Sequence, residues 1–280
     1  MRVFAEERRA PAAAGSPEGR LSFRRVGDRT VVESALSTSP LRLLTPRNHG
    51  HAAWAYTSTL GGGLVDGDQI RLRVSVGRDA CALVASQGHN RVYRSVVGST
   101  SEVVADVENG GLLALVPDPT VCFAGARYQQ RLEIRLASEA AAVVVDVLAA
   151  GRGARGERWA FQRYSGDLLL RIADRVVLQE RTLLDARHGP IARRLGRFDV
   201  LCTIVVAGEP LRDARAALAR SLASAPLQRR PEAIEQANDL GEALLVRIAA
   251  VSLEDALATI RARLDFIPRL LGDDPWCRRP

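Results

Sequence analysis

Histidines and carboxylates have the widest chemical reach in this chain, and their spacing narrows what they can do. His49 and His51 are separated by a single residue. On an extended segment both imidazoles point to one face, a spacing that can hold a metal ion. Two imidazoles fall short of the roughly four ligands of a structural site, so the pair suits a weak, transient contact or ordinary surface or core histidines. Gly61-Gly62-Gly63 precedes Asp66-Gly67-Asp68. Three glycines permit positive φ and close backbone approach, and Asp-Gly-Asp favours a turn. Asp66 and Asp68 are therefore either turn formers or carboxylates offered to a cation or a partner. No Gly-Lys-Ser/Thr ends the run, which removes a phosphate loop. Asp146 and Glu180 stand inside apolar runs, 143–148 and 176–184. A buried carboxylate has to be paired or hydrogen-bonded. The choice is an internal ion pair with Arg152, Arg155 or Arg181, or a polar lining whose oxygens pass a cation along.

Gly151-Arg152-Gly153-Ala154-Arg155-Gly156 matches GxGxxG. Residues 157–164 read as a strand, however, where dinucleotide binding requires a helix. GxSxG and HExxH are absent, and neither Ser86 nor Ser95 has a motif-level link to a histidine base. No catalytic set assembles, and the expectation is a protein that is not an enzyme.

The elements that must position these residues are short strands. The segment Gln69-Ile70-Arg71-Leu72-Arg73-Val74-Ser75-Val76 alternates polar and apolar residues, the period of a half-buried strand. Further strands are predicted over 30–34, 52–59, 81–86, 101–107, 112–116, 128–136, 141–148, 158–164, 168–172, 175–184 and 198–206. Asn109-Gly110-Gly111 and Ser165-Gly166-Asp167 read as tight connections. Helices are predicted only late, over 211–222 after Pro210 and from Ser252, an N-cap with Asp255 three residues on. Pro268 ends or kinks the second helix. The expectation is a mobile arm over residues 1–20 and one mainly β domain over 21–280, β-rich in 21–207 and helical in 208–280.

The 280 residues carry a net charge of +7, and all 39 basic residues are arginine. This reflects either codon bias or a surface that grips carboxylates or phosphates bidentately. No basic run is interleaved with aromatics and no recognition-helix or zinc-finger pattern occurs, so a protein partner is preferred over nucleic acid. No apolar run reaches the ~18 residues that span a bilayer, and no membrane association is expected. The four cysteines form no CxxC pair and three stand in apolar strands. They read as buried thiols in a reducing compartment, hence a soluble cytoplasmic protein.

Several ordered motifs resemble the urease accessory protein D family: Gly62-Gly63-Leu64-Val65-Asp66-Gly67-Asp68, Tyr93-Arg94-Ser95, Val116-Pro117-Asp118-Pro119 with Phe123-Ala124-Gly125-Ala126, and Gly151-Arg152 with Gly156-Glu157-Arg158-Trp159. The family usually has Gln-Ala-x-Thr-Lys before Tyr-Arg-Ser, whereas this chain has Gln87-Gly88-His89-Asn90-Arg91. His89 is either a metal contact or an incidental change. The resemblance implies a helicoidal, β-helix-like stack of short strands with a small C-terminal helical part. It implies a non-catalytic maturation factor that works with accessory proteins F and G on the urease apoprotein. No cofactor is expected to be tightly bound, and nickel would pass transiently along an internal route. Asp68, Ser95, Asp146 and Glu180 are the candidates for that route, with His49 and His51 as further metal candidates. Gly62, Gly63, Asp66, Gly67, Tyr93, Arg94 and Ser95 are the motif and partner candidates. The alternative is a β-rich interaction scaffold for the maturation of another metalloenzyme.

Overall fold

The computed structural model describes residues 18–47, 50–225 and 229–278. The chain steps repeatedly between two sheets. β1 (Gly19–Val26) and β2 (Arg29–Leu36) form a hairpin in the first, and β3 (Leu41–Leu44) and β4 (Ala53–Thr59) one in the second. β5 (Gln69–Val76) lies in the first sheet and β6 (Cys81–Ser86) in the second. After the short β7 (Asn90–Val92), β8 (Ser99–Val107) and β9 (Leu112–Leu115) repeat the step. After the short β10 (Thr120–Cys122), β11 (Arg127–Leu136) and β12 (Ala141–Ala149) repeat it again. β13 (Arg163–Ile172) and β14 (Arg175–Asp185) end the first sheet as a hairpin. β15 (Val200–Ala207), β16 (Ala233–Asp239) and β17 (Ala243–Ala250) complete the second.

The orders are β14-β13-β11-β8-β5-β1-β2 and β16-β17-β15-β12-β9-β6-β4-β3, with β10 beside β12 and β7 beside β10. The repeating strands β5, β8, β11 and β13 run parallel, as do β4, β6, β9 and β12. This is the solenoid-like stack that the motif resemblance implies. Its helices are α1 (Ile191–Leu195), α2 (Arg212–Ala223), α3 (Leu253–Arg263) and α4 (Ile267–Leu271).

β12 shows why the stack holds. Its run Ala-Ala-Val-Val-Val-Asp-Val-Leu-Ala is buried on both faces, as a central parallel strand requires. Ala142 and Val144 enter the core between the sheets with Phe23, Val74, Val84, Ile134 and Leu170. Val143, Val145 and Val147 enter a second core with Trp54, Leu83 and Ile204, which the helices cover through Leu218, Ile260, Leu264 and Leu271. A third cluster, Leu64, Val92, Trp159, Phe161, Tyr164 and Ile191, caps one end of the stack. Ser252 caps α3 as expected, its Oγ accepting from the Asp255 N–H at 3.1 Å, and Pro268 lies in the first turn of α4 beyond the α3 end.

Three expectations need correction. Ser165-Gly166-Asp167 is no turn but the middle of β13, because the strand pairs unbroken with β11 through these residues. Residues 158–162 are not a strand: Trp159 has φ 53° and its indole N–H donates to the Phe198 carbonyl at 2.9 Å, while Arg158 pairs with Asp199. These side chains fix an irregular segment. The C-terminal part also holds β16 and β17, whose pairing with β15 extends the second sheet beyond residue 207. Glycine 19 already lies in β1, and the expected arm over residues 1–17 is outside the described residues.

Candidate functional site

One level of the stack is polar on its inner side. In the first sheet Ser101 stands opposite Gln130, Gln130 opposite Gly166 and Gly166 opposite Thr182. In the second, Thr57 stands opposite Ser86, and Asp146 opposite Thr203, which stands opposite Arg247. Alternation along β12 places Asp146 on the same face as Val144, between the sheets. The two rows lie between the main apolar core and the end cluster. They enclose a cavity of about 260 Å³ that Ser86, Asn90, Ser101, Tyr128, Gln130 and Asp146 line in part. Gln130 and Asp146 also line a smaller space of about 10 Å³ with Glu180, Thr182 and Thr203, which has room for about one water.

Hydrogen bonds link this layer. Asn90 Nδ2 donates to the Tyr128 hydroxyl at 3.2 Å, and that hydroxyl lies 2.5 Å from Ser101 Oγ. Tyr128 donates to Gln130 Oε1 at 3.4 Å, and Gln130 Nε2 donates to Asp146 Oδ1 at 2.8 Å. The Tyr164 hydroxyl donates to Asp146 Oδ2 at 3.5 Å. Burial raises both tyrosine pKa values, keeping the phenols protonated. Among the described residues Asp146 meets no arginine: Arg152 pairs with Glu157, and Arg181 lies 3.6 Å from Asp167. Burial therefore pushes its carboxyl above the usual range despite the bonds from Gln130 and Tyr164. Glu180 is paired, but with Arg247 across the gap, Nε to Oε1 at 2.9 Å and Nη2 to Oε2 at 2.5 Å.

The motif residues have other tasks. Asp66 accepts the N–H groups of Val96, Val97 and Gly98 at 2.9, 2.9 and 2.8 Å, which lowers its pKa. Gly67 N donates to the Gly98 carbonyl at 2.9 Å. Asp68 Oδ2 accepts from Val65 N at 2.8 Å and closes the turn. Ser95 Oγ accepts from Arg127 N at 2.9 Å and donates to its carbonyl at 3.3 Å. Tyr93 packs edge-on to Phe123, with centroids 5.1 Å apart, and Arg94 lies along Gly125. Gly63 runs so close to β7 that a Cβ would lie 2.5 Å from the Arg91 carbonyl oxygen, while Gly62, at φ 75°, borders the larger cavity.

The structure thus brings Asp146 and Glu180 together and places Asp68 and Ser95 away from both spaces. His51 packs against Gly272 on another part of the surface, and His49 lies outside the described residues. His89 is exposed at the rim of the larger cavity. Sequence reasoning missed Ser101, Tyr128, Gln130, Tyr164, Thr203 and Arg247. Their signal was a polar residue at the inward phase of successive strands. The donor set at Asp146 is a carboxylate among amide, phenol and hydroxyl groups, oxygen ligands that a divalent cation can take and release. Among the described residues no group of three or more His, Cys, Asp or Glu forms a closed metal site.

A family model described as UreD urease accessory protein matches residues 15–279. The urease accessory protein UreD of Sorangium cellulosum (strain So ce56) is 46% identical over 280 residues, covering 100% of this chain and 88% of the relative. That of Anaeromyxobacter sp. (strain Fw109-5) is 38% identical, covering 94% of this chain and 89% of the relative. The urease accessory protein D of Oryza sativa subsp. indica is 30% identical, covering 97% and 99%.

Proposed function

Since the chain belongs to the UreD urease accessory protein family and so has a role in urease maturation, we propose that it assists nickel insertion into the urease apoprotein as a non-catalytic scaffold acting with accessory proteins F and G. Nickel is cargo in this reading, held transiently by the polar layer between the sheets. The observation that carries it is Asp146, a carboxylate between two sheets with hydrogen bonds but no cationic partner among the described residues. A buried anion of this kind takes up either a proton or a cation. Ser101, Tyr128 and Gln130 lead toward it from the larger cavity, and Glu180, Thr182 and Thr203 border the space beyond. Glu180 is held by Arg247, so an ion passing there has to compete with a guanidinium. Asp68, His51 and Ser95 line neither space, and the proposed route runs without them.

Urease co-expressed with accessory proteins F and G, with and without this chain, tests the proposal. Nickel content and activity should appear only with it. Equal maturation without it would overturn the reading and favour a scaffold for another metalloenzyme.

A further inference from the structure

The loop after Tyr93-Arg94-Ser95 carries two consecutive valines almost wholly in solvent, Val96 at 83% and Val97 at 84% exposure. Single exposed aliphatic residues are ordinary. These two are different because their backbone is fixed. The Asp66 carboxylate holds three successive N–H groups of the loop, and Gly67 N holds the Gly98 carbonyl. Val65, 53% exposed, adjoins Asp66 on the bracing turn. The fold therefore spends a carboxylate and a tight turn on presenting an aliphatic tip that touches little of the chain itself. A pre-ordered tip loses little conformational freedom when it is covered.

Arginines stand on the neighbouring backbone. An added Cβ on Gly98 would lie 3.2 Å from Arg127 Cβ, Arg163 stands in register beside Arg127, and Arg94 runs along Gly125, whose carbonyl accepts from Ser95 N. All three are exposed, and none makes an ion pair among the described residues. Protein interfaces bury an apolar centre and enrich arginine, and guanidiniums choose carboxylates by bidentate geometry.

We propose that the Val96-Val97 tip, with Arg94, Arg127 and Arg163 on the neighbouring backbone, docks a partner protein through an apolar socket bordered by carboxylates. The inference rests on the maturation reading for the partner's identity, a protein of the urease assembly, but not for the surface.

The test uses the full chain, tagged and co-expressed with the urease apoprotein and accessory proteins F and G. Val96→Ser/Val97→Ser should recover at least tenfold less of one of these proteins, with thermal unfolding unchanged. Arg94→Ala/Arg127→Ala/Arg163→Ala should weaken the same association and flatten its dependence on salt. If the wild-type chain associates and the valine variant associates equally, the docking surface is wrong and the maturation reading stands. If the wild-type chain carries none of these proteins, both fail. A wild-type dimer that the valine variant converts to a monomer would identify the tip as a self-contact and overturn the proposal.

Discussion

Gln130 Nε2 donates to Asp146 Oδ1 at 2.8 Å, and this bond runs between the two sheets rather than along either. With the Tyr164 hydroxyl on the other oxygen, Asp146 is tied to the opposite wall by neutral donors alone. Neutral donors orient a carboxylate without cancelling its charge. The group is held by hydrogen bonds to neutral donors rather than consumed as an ion pair.

Removing that charge while keeping the shape is the sharpest test. Asp146→Asn should lower the nickel content of co-expressed urease several-fold, with the accessory complex still assembling on size-exclusion chromatography. Full loading in the variant would exclude Asp146 from the route.

The same residue has a signature in stability. Its folded pKa lies above its ordinary value, so its favourable contribution is complete below the ordinary carboxylate range and is lost as pH rises through the folded value. Above the ordinary carboxylate range the wild type bears the cost of burying this carboxyl, which Asp146→Asn lacks. The variant should unfold at a higher temperature than the wild type near pH 7, and the gap should close on acidification. Thermal melts across pH 4 to 8, as an order of magnitude for the window, check the sign; a variant less stable at every pH contradicts it.

Glu180 on β14 and Arg247 on β17 join the two sheets through two bonds, with side-chain exposures of 19% and 42%. Glu180→Ala leaves a half-buried guanidinium unpaired and should cost about 1–3 kcal/mol in urea unfolding. Removing both partners should recover part of that loss. A double variant whose loss equals the sum of the two single losses would mean that the two side chains do not interact energetically.

Gly63 owes its identity to proximity. An alanine there would bring a Cβ to 2.5 Å from the Arg91 carbonyl and 2.7 Å from the Tyr93 ring. Gly63→Ala should destabilise by about 1–3 kcal/mol and loosen β7, visible as faster amide exchange at Tyr93, whose N–H bonds to the Leu64 carbonyl at 2.9 Å.

Thiol labelling tests the packing independently. Cys81, Cys122 and Cys202 are buried, and burial raises their pKa values, that of Cys81 to about 12; Cys277 is exposed. A native protein at pH 8, on the order of the free-thiol pKa, should react at Cys277 and at the other three only after unfolding. Rapid native labelling of Cys122 would show that the end cluster opens.

The alternation in Gln69–Val76 and the apolar run of β12 announced inter-sheet strands because period two and burial on both faces are local facts. Asp146 was legible for the same reason, as the polar exception in such a run. Gln130 was not, because its importance comes from standing across the gap from Asp146, a non-local relation. Gly166 misled because glycine between serine and aspartate is a turn signal, yet here it sits in β13 opposite Gln130, where it adds no side chain to the polar layer. Arg247, the partner of Glu180, is 67 residues away in sequence. The Asp66 motif was visible, but its role as a brace for Val96 and Val97 required the loop's geometry.

Because the polar layer is built from residues on neighbouring strands, it crosses the strands instead of following any of them. From Ser101 on β8 through β11 and β13 to Thr182 on β14, its length is counted in strand spacings, about 14 Å for three of them. Backbone hydrogen bonding thus acts as a ruler: the spacing across the layer is set by the sheet itself, and loops at either end can vary in length without changing it.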